Sequence, residues 1–255
     1  MRASFSIVAI VAAASLGLAA CTATVADRKA LAAGFTRYQA RDFDAAEAAA
    51  SAYLAKYPAA DNADEALYLR GLARVGRGDR GGATPDFTAA IARTRRPDLK
   101  AKAWRALGDI AFDASNWPEA VKDYQFALTG PAGGPSAYLN FRIGCALQAQ
   151  GQWVRAKPFL DKAAASGEAP YAASAAERAA AQYFTLQFGS FSDPGNANNL
   201  ARELQAAGTS AGVFPVTHDG RPIYAVRAGG YATWSAAESA RAKVQARYPV
   251  AVIYP

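Results

Sequence analysis

The sequence has few of the residues that build metal centres and covalent cross-links. It contains one histidine and two cysteines among 255 residues. Such low numbers argue against a histidine-rich or cysteine-rich metal site, and two cysteines cannot form a disulfide framework. The 28 lysines and arginines outnumber the 21 acidic residues and give a net charge of +7, but they form no basic run. We therefore expect no metal, no cofactor and no nucleic-acid partner.

Motifs of catalytic machinery are also lacking. The chain shows no paired catalytic carboxylates, no cysteine–histidine pairing with an orienting group and no phosphate-binding loop. The sequence therefore predicts a binding protein and not an enzyme. An enzyme with a cryptic site is the alternative to this interpretation.

The N-terminal apolar run is too short to span a bilayer comfortably. It extends from Phe5 to Leu18 and follows a positive charge at Arg2. The next residues, Leu18-Ala19-Ala20-Cys21, resemble the lipobox of bacterial lipoproteins. That resemblance implies that a signal peptide, residues 1–20, is removed and that lipid is attached to Cys21. Two acyl chains anchor a protein firmly, whereas one chain binds only marginally. An ordinary secretory peptide and a retained membrane anchor are the alternatives.

The residue after the cysteine carries information about sorting. It is Thr22 and not aspartate. In the best-known lipoprotein sorting system this implies the outer membrane, with the protein facing the periplasm, although the rule varies between bacteria. We expect residues 21–29 to form the lipidated N-terminus and a linker.

A repeat of 36–37 residues follows. Gly34, Gly71, Gly108 and Gly144 are separated by 37, 37 and 36 residues, and small and aromatic residues recur at fixed distances from each glycine. The pattern resembles the tetratricopeptide repeat and predicts an all-α array of helix pairs over residues 30–167. Trp117 and Trp153 occupy equivalent positions, where they are expected to begin the second helix of a unit and to fill the gap between units.

Tetratricopeptide-like arrays bind partners on the concave face formed by the first helix of each unit. The resemblance implies a groove that is rich in aromatic side chains and suits an extended peptide or a partner helix. Packing of these aromatic residues between helices is the alternative for each of them. The predicted groove residues are Phe35, Tyr38, Tyr68, Arg105, Phe112, Tyr138 and Phe141. Residues 168–181 are rich in alanine and are expected to form a capping helix and linker.

The hydrophobic period changes after the array. Tyr183–Phe191 alternates between apolar and polar residues, as a half-buried strand does. A helix, a hairpin, a second helix and a closing strand are predicted to follow, in the order β-α-β-β-α-β. This order is the split arrangement of ferredoxin-like folds. We therefore expect a multidomain chain, in which the helical array is followed by a small α+β domain at residues 182–255.

Two segments of this domain point to one family. Gln187-Phe188-Gly189-Ser190-Phe191 and Tyr224-Ala225-Val226-Arg227-Ala228-Gly229 together resemble the SPOR (sporulation-related repeat) domain. The family usually has proline after the late glycine, where this chain has Gly230 and Tyr231, and that difference loosens the loop. The resemblance implies binding to peptidoglycan, specifically to denuded glycan strands from which amidases have removed the stem peptides.

Six residues are predicted to bind the glycan. Gln187 and Arg227 would share a sheet face if their strands are neighbours, and Ser190 lies at the strand exit. An amide, a hydroxyl and a cation suit the lactyl carboxylates, hydroxyls and acetamides of a denuded strand. The other three are Asn196 and Asn199 at the start of the next helix, and Tyr231, which could stack on a sugar. The alternatives are a helix cap for Asn196, a turn hydrogen bond for Ser190, a surface ion pair for Arg227 and core packing for Tyr231.

Together these features predict a lipoprotein that binds peptidoglycan with its C-terminal domain and recruits a protein partner with its repeats, in cell division or cell separation. The alternative is a structural tether or a secretion-assembly lipoprotein in which the repeat array is the main functional part.

Overall fold

A computed structural model describes residues 23–130, 134, 136–218 and 221–255. Cys21 and the apolar run that precedes it lie outside this range. Within the described residues, no helix is both long enough and apolar enough to cross a membrane.

The described part of the array contains nine helices. Each odd-numbered helix from α1 to α7 packs against the even-numbered helix that follows it, and α9 packs against α8. This arrangement confirms the predicted helix pairs. The bounds are α1 Val25–Gln39, α2 Phe43–Lys56, α3 Ala63–Gly76, α4 Arg80–Arg93, α5 Pro97–Asp113, α6 Trp117–Thr129, α7 Ala137–Ala149, α8 Trp153–Ala165 and α9 Tyr171–Ala180.

The repeating glycines mark the closest approach between helices. A Cβ atom at Gly108 would lie 2.6 Å from the Tyr124 ring, and one at Gly144 would lie 2.5 Å from Leu160. Real Cβ contacts are not this short, so only glycine lets the large residue of the second helix pack against the first helix. Gly71 meets a phenylalanine of α4 in the same way. The glycines therefore recur every 36–37 residues because the same close contact between two helices recurs in each unit.

The array begins earlier than predicted. Helix α1 starts at Val25, inside the segment 21–29 that was expected to be a linker. The Thr24 side chain accepts a hydrogen bond from the Asp27 backbone N–H, and the Asp27 carboxylate accepts one from the Thr24 backbone N–H. This capping box satisfies donors that the first turn of a helix leaves unpaired. The segment therefore starts a helix.

An ion-pair network around the buried Asp86 joins the two helices of the second unit and reaches the first unit through Arg74. The Asp86 carboxylate is buried on α4 and accepts hydrogen bonds from Arg70 and Arg74 of α3, at 2.6 and 2.9 Å. Arg74 also reaches Glu47 on α2, at 2.9 Å. These contacts compensate for the burial of a charge that would otherwise be strongly unfavourable.

The C-terminal domain has the predicted β-α-β-β-α-β order. Its elements are β1 Phe184–Phe191, α10 Pro194–Ala206, β2 Ala211–His218, β3 Arg221–Tyr231, α11 Trp234–Val244 and β4 Val252–Tyr254. The four strands form one sheet in the order β2-β3-β1-β4, and every pairing is antiparallel. Both helices pack against one face of this sheet around Leu186, Phe188 and Val226. The other face includes the Gln187 and Arg227 side chains, which are paired across β1 and β3.

Trp153 joins the two domains. Its indole N–H donates a hydrogen bond to the Ala232 carbonyl at 2.8 Å, and its ring centroid lies 4.8 Å from that of Phe184. The prediction that Trp153 fills a gap between repeats was therefore wrong, whereas Trp117 does pack inside the array, edge-on against Phe112. The reason is position: within the described array no helix pair follows α8, and the start of α8 contacts the C-terminal domain instead.

Candidate functional site

The open face of the sheet brings three of the predicted residues together. Gln187 and Arg227 are direct partners in the β1–β3 register, and Arg227 Nε donates a hydrogen bond to Gln187 Oε1 at 3.0 Å. Gln187 Nε2 in turn donates to Ser190 Oγ at 3.2 Å. Since directly paired residues point to the same side of a sheet, the three side chains form one connected polar group.

Two aromatic residues extend this polar group, and the sequence prediction missed both of them. The Arg227 guanidinium stacks on the Tyr254 ring, 3.2 Å from its centroid, and lies 5.8 Å from the centroid of Phe214. Phe214 is 45% exposed, although it lies in a strand. An exposed aromatic ring beside a cation and an amide is a platform on which a sugar ring can stack and form hydrogen bonds. The register of the β2–β3 hairpin could have revealed Phe214, because it places this residue near Arg227 on the neighbouring strand.

The two predicted asparagines lie at the start of α10, as expected. Asp193 is the N-cap, because its carboxylate accepts a hydrogen bond from the Asn196 backbone N–H at 3.0 Å. The helix-cap alternative for Asn196 was therefore wrong. Asn199 Oδ1 accepts a hydrogen bond from Arg202 at 2.6 Å. These contacts leave the role of both asparagines in glycan binding as a prediction.

Tyr231 lies on the opposite face of the sheet from Arg227. The β1–β3 pairing shifts register between Phe184 and Leu186, and Gly229 in this part of β3 has a φ of 78°. A bulge of this kind reverses the alternation of side chains, and the left-handed backbone conformation favours glycine. Tyr231 therefore pairs with buried Phe184 and packs against the helix-covered core. The core-packing alternative therefore describes the surroundings of Tyr231, and its contact with a sugar stays a prediction.

A cavity of about 300 Å³ opens between the end of α9 and this sheet face. Its walls include Arg227, Phe214 and Tyr254 from the sheet and Glu177 from α9. The Tyr254 hydroxyl donates a hydrogen bond to Glu177 Oε1. Burial, followed by this hydrogen bond to a carboxylate, raises the pKa of Tyr254 to about 12.

The predicted repeat groove is open at its N-terminal end. Tyr38, Tyr68 and Arg105 line a cavity of about 350 Å³ among α1, α3 and α5. Burial raises the pKa of Tyr68 to about 12. These three predicted residues are therefore brought together on one surface.

Internal packing occupies the other predicted groove residues. The Arg142 guanidinium lies 3.6 Å from the centroid of the Phe112 ring. Tyr171 of α9 lies against Tyr138 and Phe141, at centroid distances of 5.6 and 5.8 Å. Phe35 packs against the core cluster of the first helices. The packing alternative therefore describes the surroundings of these four residues, and their contact with a partner stays a prediction.

Asp109 organises the centre of the array. Its carboxylate accepts hydrogen bonds from Tyr124, at 2.7 Å, and from Tyr138. The guanidinium groups of Arg105 and Arg142 each lie 3.8 Å from it. Burial, together with the nearby carboxylate, raises the pKa of Tyr138 to about 12. The negative charge of Asp109 is thus paired with side chains of the array itself.

The described residues contain no group of three or more His, Cys, Asp or Glu side chains that could hold a metal ion. Cys145 is a buried free thiol, and burial raises its pKa. A buried thiol with a raised pKa is a poor nucleophile.

Comparison with protein families agrees with the division of the chain. Residues 180–255 match the model of the SPOR domain. The chain combines a tetratricopeptide-like array with a C-terminal SPOR domain. Residues 22–120 match the YfiO family, described as outer membrane lipoprotein. The SPOR domain implies peptidoglycan binding, and both matches are to binding modules without catalytic activity.

Several solved structures match more than half of the chain. The Cut9–Hcn1 hetero-tetramer of the APC/C matches with a TM-score of 0.53 at 16% identity, over 61% of this chain and 30% of that one. The MamA protein matches with a TM-score of 0.47 at 19% identity, over 55% and 72% of the two chains. A tetratricopeptide repeat protein of Thermus thermophilus gives 0.42 at 22% identity, over 58% and 78%. No curated protein sequence matches the chain.

Proposed function

We propose that the protein is a lipoprotein anchored through Cys21 in the outer membrane and facing the periplasm. It holds denuded glycan strands of peptidoglycan with the open face of its SPOR sheet, and it recruits a protein partner with the groove of its repeats. It acts as a binding protein in cell division or cell separation, without catalysis.

The observation that carries glycan binding is the connected group formed by Ser190, Gln187 and Arg227. Arg227 is hydrogen-bonded to a neutral amide, so this contact leaves its positive charge uncompensated. A lactyl carboxylate on the strand would gain charge-assisted hydrogen bonds from the guanidinium. The amide of Gln187 and the hydroxyl of Ser190 supply the donors and acceptors that acetamides and sugar hydroxyls need.

Binding of the full-length protein to amidase-treated sacculi tests this proposal. Arg227→Ala should weaken binding by about tenfold, since the contact between the guanidinium and the lactyl carboxylate is partly solvated. It should also reduce the dependence of binding on salt, because a charge is lost. Gln187→Ala should weaken binding without changing the salt dependence, since no charge is lost. Untreated sacculi should bind poorly, because stem peptides occupy the lactyl carboxylates.

The matched control is Arg247→Ala, which removes the same charge on the helix side of the domain, where Arg247 contacts Glu203 at 3.2 Å. This control should bind treated sacculi like the wild type. Equal binding of the wild type to treated and untreated sacculi would contradict the proposal, as would normal binding by both sheet variants.

The proposed membrane anchor and cellular role have separate tests. Cys21→Ser should leave an uncut precursor or a mislocalised protein, which membrane fractionation and detergent-phase partitioning would detect. A fluorescent fusion should concentrate at division sites and lose this localisation when residues 181–255 are removed. A fusion that localises equally well without them would contradict targeting by the SPOR domain.

A further inference from the structure

The cavity between α9 and the SPOR sheet belongs to both domains. The array contributes Glu177 and Ala180, and the sheet contributes Thr185, Phe214, Arg227 and Tyr254. Arg227 belongs to the polar group proposed to bind the glycan, and the other three sheet residues line the same cavity. The two array residues have no part in that proposal.

Tyr254 connects the two walls of the cavity. Its hydroxyl donates to Glu177 on α9, its backbone carbonyl accepts a hydrogen bond from Thr185 Oγ at 3.4 Å, and its ring lies under the Arg227 guanidinium. The ring that positions Arg227 is thus itself held by a residue of the array. The contact between Trp153 and Ala232 is a second, independent attachment of the array to this domain.

The chemistry of the walls suits one sugar ring. Phe214 and Tyr254 offer apolar ring faces. The Glu177 carboxylate only accepts hydrogen bonds, the Arg227 guanidinium only donates them, and the hydroxyls of Thr185 and Tyr254 can do both. A cavity of about 300 Å³ is at the small end of ligand pockets, which fits a single ring better than a longer segment.

The charge of Glu177 indicates which sugar ring of the glycan strand would enter the cavity. The Glu177 carboxylate would repel a lactyl carboxylate placed beside it, whereas it accepts hydrogen bonds readily from neutral hydroxyls. The ring without a lactyl group therefore fits the cavity. The neighbouring ring, with its lactyl carboxylate, would then lie over the Gln187 side of Arg227.

We propose that this cavity is a subsite for the N-acetylglucosamine ring of the strand, with Glu177 of α9 as a binding residue contributed by the repeat array. The inference rests on the proposed glycan binding and extends it, because residues of both domains would then form the glycan site. An isolated SPOR sheet would lack one wall of the site.

The test measures binding of the full-length protein in detergent to amidase-treated sacculi. Ala180→Trp fills the cavity from the array side and should weaken binding by about tenfold, and Glu177→Ala should weaken it by about threefold. Ala173→Trp adds the same bulk on the exposed surface of α9, and Glu168→Ala removes a carboxylate outside the cavity. Both controls should bind within about twofold of the wild type.

A variant on α9 could separate the two domains, and a changed X-ray scattering curve would reveal this. Phe214→Ala tests the cavity without changing α9. Phe214 lies on the SPOR side of the cavity, and its loss should weaken binding by about fivefold with an unchanged scattering curve. Wild-type-like binding by Ala180→Trp with an unchanged scattering curve, or by Phe214→Ala, would overturn the subsite. Weak binding by Arg227→Ala in the same assay would show that the proposed function itself still holds, whereas absence of binding by the wild type would overturn both.

Discussion

The two domains use arginine in different ways. In the array, Arg70 and Arg74 donate to the buried carboxylate of Asp86, and Arg142 stacks on Phe112 close to Asp109. In the SPOR domain, Arg227 donates to a neutral amide on an open sheet face. An ion pair that is buried contributes to holding helices in place, whereas a cation with a neutral partner retains its charge for a ligand. Arg70, Arg74 and Arg142 are thus structural, whereas Arg227 is a candidate for binding.

Removal of Asp86 should have the largest effect on stability and would sharpen this comparison. We expect Asp86→Ala to lower the free energy of unfolding of the array by about 3 kcal/mol, because the half-buried guanidinium of Arg70 loses its carboxylate partner and that of Arg74 keeps only the carboxylate of Glu47. Chemical denaturation followed by circular dichroism measures this change.

The control for this prediction is Asp98→Ala, whose carboxylate is half exposed and contacts Arg96 and Lys102 at 3.5 Å. It should change stability by about 0.5 kcal/mol or less, as exposed ion pairs do. Arg227→Ala should likewise change stability by less than about 1 kcal/mol. A loss of stability in Arg227→Ala as large as that in Asp86→Ala would remove the distinction between the domains.

Asp123 on α6 breaks the pattern within the array, because it is a buried carboxylate whose Oδ1 has no hydrogen-bond partner. Burial, with a smaller contribution from Glu119, raises its pKa to about 6, while Lys122 acts in the opposite direction. Since the folded state holds this proton more tightly than the unfolded state, stability should fall as the pH rises from about 4 to about 6.

Asp123→Asn removes this titration. The change that it causes in the free energy of unfolding should be about 2 kcal/mol more favourable at pH 7 than at pH 4. Denaturation curves at both pH values measure the difference, and Asp161→Asn, at a half-exposed position paired with Lys157, is the control. A benefit of the Asp123 variant that is the same at both pH values would contradict the raised pKa.

The contact between the domains should have the smallest effect. Trp153→Phe keeps an aromatic ring near Phe184 but loses the hydrogen bond to Ala232, so it should weaken docking by about 1 kcal/mol. We expect the thermal transitions of the array and the SPOR domain to separate further in differential scanning calorimetry. Trp117→Phe, inside the array, should instead lower only the array transition. Identical traces for the two variants would show that Trp153 does not connect the domains.

The candidate site was only partly predictable from the sequence. Period-two alternation placed Gln187 and Arg227 on one face once their strands became neighbours, and the register confirms that they share it. Tyr231 lies on the other face because of a bulge at Gly229, and the sequence shows the glycine but not the register shift that it accompanies. The predicted β2–β3 hairpin could have placed Phe214 beside Arg227, whereas Tyr254 comes from the strand at the other edge of the sheet, so only the strand order brings it to Arg227.

The sequence by itself determined the helix pairs, the order of elements in the SPOR domain and the positions of the close contacts. These features depend on local periodicity and on glycines that meet a large residue of the adjacent helix, and both kinds of information lie within one repeat or one strand. Tertiary structure decided that Trp153 docks on Ala232, that Asp86 is neutralised by two arginines and that Glu177 reaches Tyr254. Such contacts join residues from separate elements, and their geometry exists only after the helices and the sheet have packed together.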